Sequence, residues 1–201
     1  MKVYLISNNS LIEGLSYENG TNLDIVRLVR PLSILGEENA LKISENKNLA
    51  SVEKIYSSFH SSALSTSKNL SEKLNLEINL NNNFNDCKVG YLGSKNMKMV
   101  KGLQEHDFNY KLPDGESLND VGNRINNEIN KLLNNDCDIV IFTHKRAILG
   151  FLLKYCHVGY NLDDSLILEF NDKLVYDDTD SEYDIYELTF ENNKLVDINL
   201  K

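Results

Sequence analysis

The chain has 201 residues, 41% of them hydrophobic and 25% charged, with a formal net charge of −9. That length and balance can bury one sizeable core and exclude a wholly disordered chain, while the acidic charge argues against a general nucleic-acid binder. No apolar run approaches the roughly 20 residues that cross a bilayer, so neither a membrane nor a nucleic-acid partner is expected.

Met1–Ile6 reads as a buried strand with β-branched and aromatic members, interrupted at once by Ser7-Asn8-Asn9-Ser10. The apolar stretch is too short for a signal peptide. The three cysteines, Cys87, Cys137 and Cys156, form no CxxC pair, so reduced thiols in a cytoplasm are expected. Residues 32–45 read as a helix capped by Ser33, with Leu35, Ala40, Leu41 and Ile43 mostly on one side. Glu53–Ser57 reads as a second strand, and Ser61–Lys73 as a helix with Ala63, Leu64, Ser67, Leu70 and Leu74 inward. Leu76–Leu80 is a third short strand. Residues 81–116 carry no sustained period and hold Gly90, Gly93, Gly102, Pro113 and Gly115, the pattern of a long lid-like excursion.

Ser117 caps a strongly patterned helix with Leu118, Val121, Ile125, Ile129, Leu132 and Leu133 at three- and four-residue spacing, and Asp120 completes an approximate capping box. Asp138–Thr143 is the continuous apolar run of a strand covered on both faces, followed by His144 and a helix over Arg146–Cys156. A strand at Leu166–Phe170, an acidic loop over Asp172–Asp184 and a hairpin, Ile185–Phe190 and Leu195–Ile198, complete the chain. Strands alternating with helices predict an α/β, three-layer α/β/α sandwich on a mostly parallel mixed sheet. A single domain over residues 1–201 is expected, with the lid-like insertion at about 81–116.

In open α/β sheets ligands bind at the carboxyl ends of strands. That rule selects residues 7–10, 57–62 and 143–146, and here the wording resembles the histidine phosphatase superfamily, the phosphoglycerate-mutase-like proteins. Arg30-Pro31-Leu32-Ser33 with Gly36 is similar to that family's Pro-Leu-Thr-x-x-Gly segment, and Ser57-Ser58 with Ala63 and Thr66 to its Ser-Ser-Pro-x-x-Arg-Ala-x-x-Thr segment. Gly115-Glu116-Ser117 and Ile139–His144 resemble its Gly-Glu-Ser and Val-x-Ser-His-Gly segments. The resemblance implies the sandwich fold and phosphoryl transfer through a histidine nucleophile, with two arginines and a second histidine holding the phosphoryl oxygens and a carboxylic acid protonating the leaving group.

Most of those groups are absent. The family's Arg-His-Gly falls on Ser7-Asn8-Asn9, its second arginine on Ser62, and its general acid on Asp86, while His144 is retained. An amide nitrogen has no available lone pair for in-line attack, and losing a nucleophile costs on the order of 10⁶ in turnover. The expected function is therefore a catalytically inactive member that binds a small anionic or phosphorylated ligand, or a protein, without cofactor or metal. The alternative is a phosphatase or mutase with a site rebuilt from His144 and Asp86. The candidate ligand-binding residues are Asn8, Asn9, His60, Ser62, Asp86, His144, Lys145 and Arg146, the last two as replacement positive charge. Arg27 and Arg30 are further candidates, and Met97, Met99, Val100 and Leu103 form a candidate lid or partner surface. Cys87 is expected to be inert, and the run Asp177, Asp178, Asp180, Glu182 is expected to be a solvated turn rather than a calcium loop.

Overall fold

The computed structural model describes residues 1–15, 22–135, 137–178 and 181–201. At its centre is β1 (Lys2–Asn8), whose five interior residues are all buried. It pairs in parallel with β4 (Ile139–Thr143) and antiparallel with β8 (Tyr183–Glu191). With β2 (Lys54–Ser57), β3 (Ile78–Leu80) and β9 (Lys194–Leu200), the sheet runs β3-β2-β4-β1-β8-β9, parallel from β3 to β1 and antiparallel beyond. The predicted mostly parallel mixed sheet is what forms.

Side chains alternate across the pleat, so the strands feed two cores. Tyr4 and Ile6 join Ile55, Val140 and Phe142 beneath α2 (Ile34–Glu45) and α3 (Ser61–Leu74), which supply Ile43, Ala63 and Leu70. Val3 and Leu5 join Ile139 and Ile141 beneath α5 (Leu118–Leu132) and α6 (Lys145–Leu152). Burial of Leu118, Val121, Ile125 and Ile129 fixes α5 on the sheet, at roughly 1.5–3 kcal/mol for each fully buried side chain. Where α5 crosses α6, a Cβ on Gly122 would lie 2.0 Å from the Gly150 carbonyl oxygen, so only glycine permits the approach. Layers on both faces make the sandwich.

The caps form as expected. Ser33 accepts from Gly36 N, and Ser117 with Asp120 makes a full capping box. The final hairpin turns on Asn192 and Asn193, both in the left-handed region, as a two-residue turn matched to the strand twist requires.

Several expectations need correction. In α2 the buried face is Gly36, Asn39, Ala40 and Ile43, while Leu35 and Leu41 face solvent, and in α3 Leu64 also lies outside. Small residues take those inner positions because the helices lie close to β1 and to each other. The last helix ends at Leu152 rather than Cys156, because the chain turns into β5 (His157–Tyr160). The stretch 81–116 is not all irregular, since it contains α4 (Met97–His106), capped by Asn96 with Val100 and Gln104 buried. Nor is Asp172–Asp184 simply a loop: β7 (Lys173–Asp177) pairs with β6 (Leu166–Phe170) and β8 begins at Tyr183. Asp180, in the run weighed for calcium, lies outside the described residues.

Strands β5, β6 and β7 form a second, antiparallel sheet that buries Leu166, Leu168 and Val175 in the α5–α6 core. It also shields the open edge of β9, where Asn171 and Lys173 donate to the Val196 and Ile198 carbonyls. A short helix, α1 (Leu23–Val29), buries none of its residues and was not anticipated.

Candidate functional site

The carboxyl ends of β1, β2 and β4 lie side by side because these strands are parallel neighbours. They present Asn8, Ser58 and His144. Glycine at position 36 allows the loop after β1 to approach the start of α2, since a Cβ there would stand 2.2 Å from Ser10 O. Asn8 consequently points into the scaffold. Its Nδ2 donates to Gly36 O (2.8 Å) and Thr66 Oγ1 (3.2 Å), and its Oδ1 accepts from Ser10 N.

The two neighbours of Asn8 turn to the opposite side. Ser7 Oγ donates to Asp184 Oδ2 at 3.0 Å, and Asn9 Nδ2 donates to the same oxygen and to Ser181. Asp184 is a buried carboxylate, 8% exposed, placed opposite Ser7 by the β1–β8 register. From the sequence Asp184 is the end of an acidic loop; only the strand order reveals that it faces Ser7. Ser62 is buried in the first turn of α3, its carbonyl accepting from Thr66 Oγ1.

A second group of residues does converge. His60 and His144 are the N-cap residues of α3 and α6, and neither caps through its side chain. Their rings lie 4.3 Å apart between centroids. His144 Nε2 lies 2.8 Å from Ser58 Oγ, which also accepts from His60 N. Asp86 stands nearby through an ion pair with Arg27 and accepts from Cys87 N. Burial pushes His144 down to about 3 despite the Asp86 charge. Burial likewise lowers His60. At Asp86 burial acts upward, but Arg27, His144 and His60 outweigh it and bring the carboxyl down to about 2. At neutral pH the cluster is two neutral imidazoles beside an ionised carboxylate paired with a guanidinium.

Arg27 reaches this point from α1, and α1 is held over the strand ends by polar contacts. Arg27 Nη1 donates to Cys87 O at 2.8 Å, and Asp24 accepts from Val89 N and Gly90 N. His60 Nδ1 lies 3.1 Å from Arg27 O. On the other wall Arg124 makes a two-bond pair with Glu116 and donates to Asn83 O and Asp86 O, fixing the 83–86 segment. Between these walls lies a cleft of about 1240 Å³, lined by α1, residues 82–93, His60, Glu116 and Arg124. His60 and Asp86 line it, whereas Asn8, Asn9, Ser62 and His144 do not.

Lys145 and Arg146 do not supply the cleft with positive charge. Lys145 Nζ lies 6.0 Å from the Tyr176 ring centre, and Arg146 binds Glu105 and Gln104, tying α6 to α4. Arg30 donates to Ile12 O at the surface. Cys87 is buried with its thiol pushed up to about 12, chiefly by burial, which leaves it a poor nucleophile. Met99 and Leu103 are exposed on α4 while Val100 packs inward. Ser58 was inside a segment named from the sequence but was given no role; Asp24 had no local signal.

The family description "Histidine phosphatase superfamily (branch 1)" matches residues 27–171, beginning within α1. No curated protein sequence matches the chain. Among solved structures, a mycobacterial glucosyl-3-phosphoglycerate phosphatase with inorganic phosphate is similar at 15% identity and TM-score 0.68, covering 100% of this chain and 95% of its own. Bacillus stearothermophilus YhfR is similar at 13% identity and TM-score 0.65, covering 97% of this chain and 94% of its own. The alpha-ribazole phosphatase from Shigella flexneri is similar at 15% identity and TM-score 0.58, covering 85% of this chain and 95% of its own. With the family match spanning well over half its residues, this chain belongs to the histidine phosphatase superfamily, branch 1.

Proposed function

We propose that this chain is a catalytically inactive member of its superfamily that binds a small ligand or a protein in place of turning over a phosphoester. One observation supports the reading. At position 8, where the resemblance places the nucleophile, Asn8 is an amide anchored to Gly36 and Thr66 and directed into the scaffold. Its neighbour Ser7 lies on the Asp184 carboxylate, so that position carries negative charge nearby and no guanidinium of its own.

Two features weigh against a site rebuilt from His144 and Asp86. A general acid must hold a proton near neutral pH, and Asp86 at about 2 does not. His144 is engaged by Ser58 and does not line the cleft. The proposed setting is a reducing cytoplasm, supported by three free cysteines, and no helix among the described residues is long and apolar enough to cross a membrane.

The test is a screen of the purified protein over phosphosugars, phosphoamino acids and aryl phosphates, followed by release of inorganic phosphate. Rates equal to buffer are expected. Turnover above buffer that disappears in His144→Ala, or a phosphoryl group found covalently on the protein, overturns the reading.

A further inference from the structure

The walls of the cleft carry the carboxylates of Asp24, Asp86, Asp114 and Glu116 against the cations of Arg27, Lys88 and Arg124. Three of the four carboxylates are satisfied from within: Asp86 by Arg27, Glu116 by Arg124, and Asp24 by the backbone N–H groups of Val89 and Gly90. The same contacts engage both guanidiniums. A phosphate dianion entering this space meets a formally negative surround, with both guanidiniums already paired and the exposed Lys88 matched in number by Asp114. A neutral ligand meets no such repulsion.

What the cleft offers instead is a set of uncharged polar atoms. Asn83 Nδ2 donates to Glu128, and Asn82 Oδ1 accepts from Asn85, which leaves Asn83 Oδ1 and Asn82 Nδ2 without partners among the described residues. His60 Nδ1 faces the Arg27 carbonyl, which can only accept. The ring proton of the neutral imidazole therefore sits on Nδ1, and Nε2 carries a lone pair with no partner among the described residues. A hydroxyl donates and accepts at once, so neighbouring hydroxyls match such a mixed set. At the mouth Tyr91 is 72% exposed and Ile25 58% exposed, presenting a flat aromatic and an aliphatic face to whatever enters.

We infer that this cleft binds an uncharged, hydroxyl-rich ligand, a saccharide or the ribose of a nucleoside, through His60 and the Asn82–Asn83 pair, with Tyr91 covering its apolar face. The inference rests on the non-catalytic reading and extends it by giving the ligand a charge and a chemistry. The volume of about 1240 Å³ accommodates a mono- or disaccharide or a nucleoside.

The experiment is a two-dimensional amide NMR titration of the full chain with neutral methyl glycopyranosides and disaccharides, free nucleosides, the sugar 6-phosphates and nucleoside 5′-phosphates, and inorganic phosphate. A neutral compound is expected to shift the signals of Asn82, Asn83 and Tyr91 and to bind about tenfold more tightly than its phosphate ester. Whether the saccharides or the nucleosides do so identifies the source of the hydroxyls. Tyr91→Ala, at an exposed position, is expected to weaken the bound compound by about fivefold while leaving the spectrum otherwise folded. Phosphate esters binding as tightly as their neutral parents overturn the inference, as does a panel in which no neutral compound moves those signals. Phosphorus NMR on the same samples keeps the two readings apart. Release of phosphate there defeats the non-catalytic reading, and the order of affinities judges the ligand class.

Discussion

Helices α5 and α1 both border the cleft and are held by different forces. α5 buries Leu118, Val121, Gly122, Ile125 and Ile129 and meets α6 backbone to backbone at Gly122 and Gly150. α1 has no fully buried residue and is held largely by Asp24 on two backbone N–H groups and by Arg27 on Asp86 and Cys87 O. Burial is non-directional and scales with area, so α5 can be displaced only by breaking the core. A few charge-assisted bonds are local and replaceable, so the cover of the cleft can change while the scaffold stays.

The sharpest way to break the comparison is at the glycine contact. Gly122→Ala puts a methyl group 2.0 Å from a backbone oxygen that no rotamer can move. It should destabilise the protein by about 3 kcal/mol or more, read as a lower denaturant midpoint with unchanged slope. A loss below about 1 kcal/mol would mean that α5 and α6 separate easily and that the two helices do not differ as argued.

Acid titration comes next. The His144 imidazole titrates at 6.5 when unfolded and at about 3 in the fold, chiefly because burial disfavours the cation. The folded state binds fewer protons in that window, so the contribution is complete above pH 6.5 and drains away as the pH falls toward 3. Discounted because His144 as a residue is only half-buried, the loss is on the order of 2 kcal/mol. Asp86 has the same sign over a lower window, complete above its ordinary 3.8 and lost toward about 2. Urea melts from pH 7 to pH 4 should show the His144 slope in the wild type and a flatter one in His144→Gln.

The smallest effect on global stability is expected at the polar anchor of α1. Arg27 and Asp86 are partly exposed, so Arg27→Gln should cost only about 1–2 kcal/mol overall. Its local effect should be larger: hydrogen exchange should quicken across Leu23–Val29 and at Val89 and Gly90, with α5 unchanged. Equal protection of α1 in variant and wild type would show that burial holds it after all.

The legibility of the chain followed the same division. Ser33 and Ser117 announced their helices because a cap and the amide it receives lie three residues apart. The Asn192–Asn193 turn was placed by its flanking strands for a similar reason. α4 was missed although Asn96 and the spacing of Met97 and Val100 carried a signal, because Gly102 and the glycines around it masked the period. α1 gave no one-sided apolar stripe to find, since Leu23, Ile25, Val26, Leu28 and Val29 are spread round the helix and none is fully buried. In the candidate cluster, His60 and His144 lie in segments selected by the strand-end rule and Asp86 came from the family resemblance, whereas Lys145 and Arg146, candidates for positive charge in the cleft, meet Tyr176 and the Glu105–Gln104 pair.

The sequence by itself determined β1, β2, β4 and the final hairpin, and the caps of α2 and α5, because each depends on neighbours within a turn or a strand. Tertiary structure decided what closes the strand ends. Arg27 meets Asp86 across 59 residues and Ser7 meets Asp184 across 177, and such pairings between charged or polar side chains leave no periodic trace in a chain. They arise only after the sheet has set which ends lie together, and they determine whether the space above it carries net positive or net negative charge.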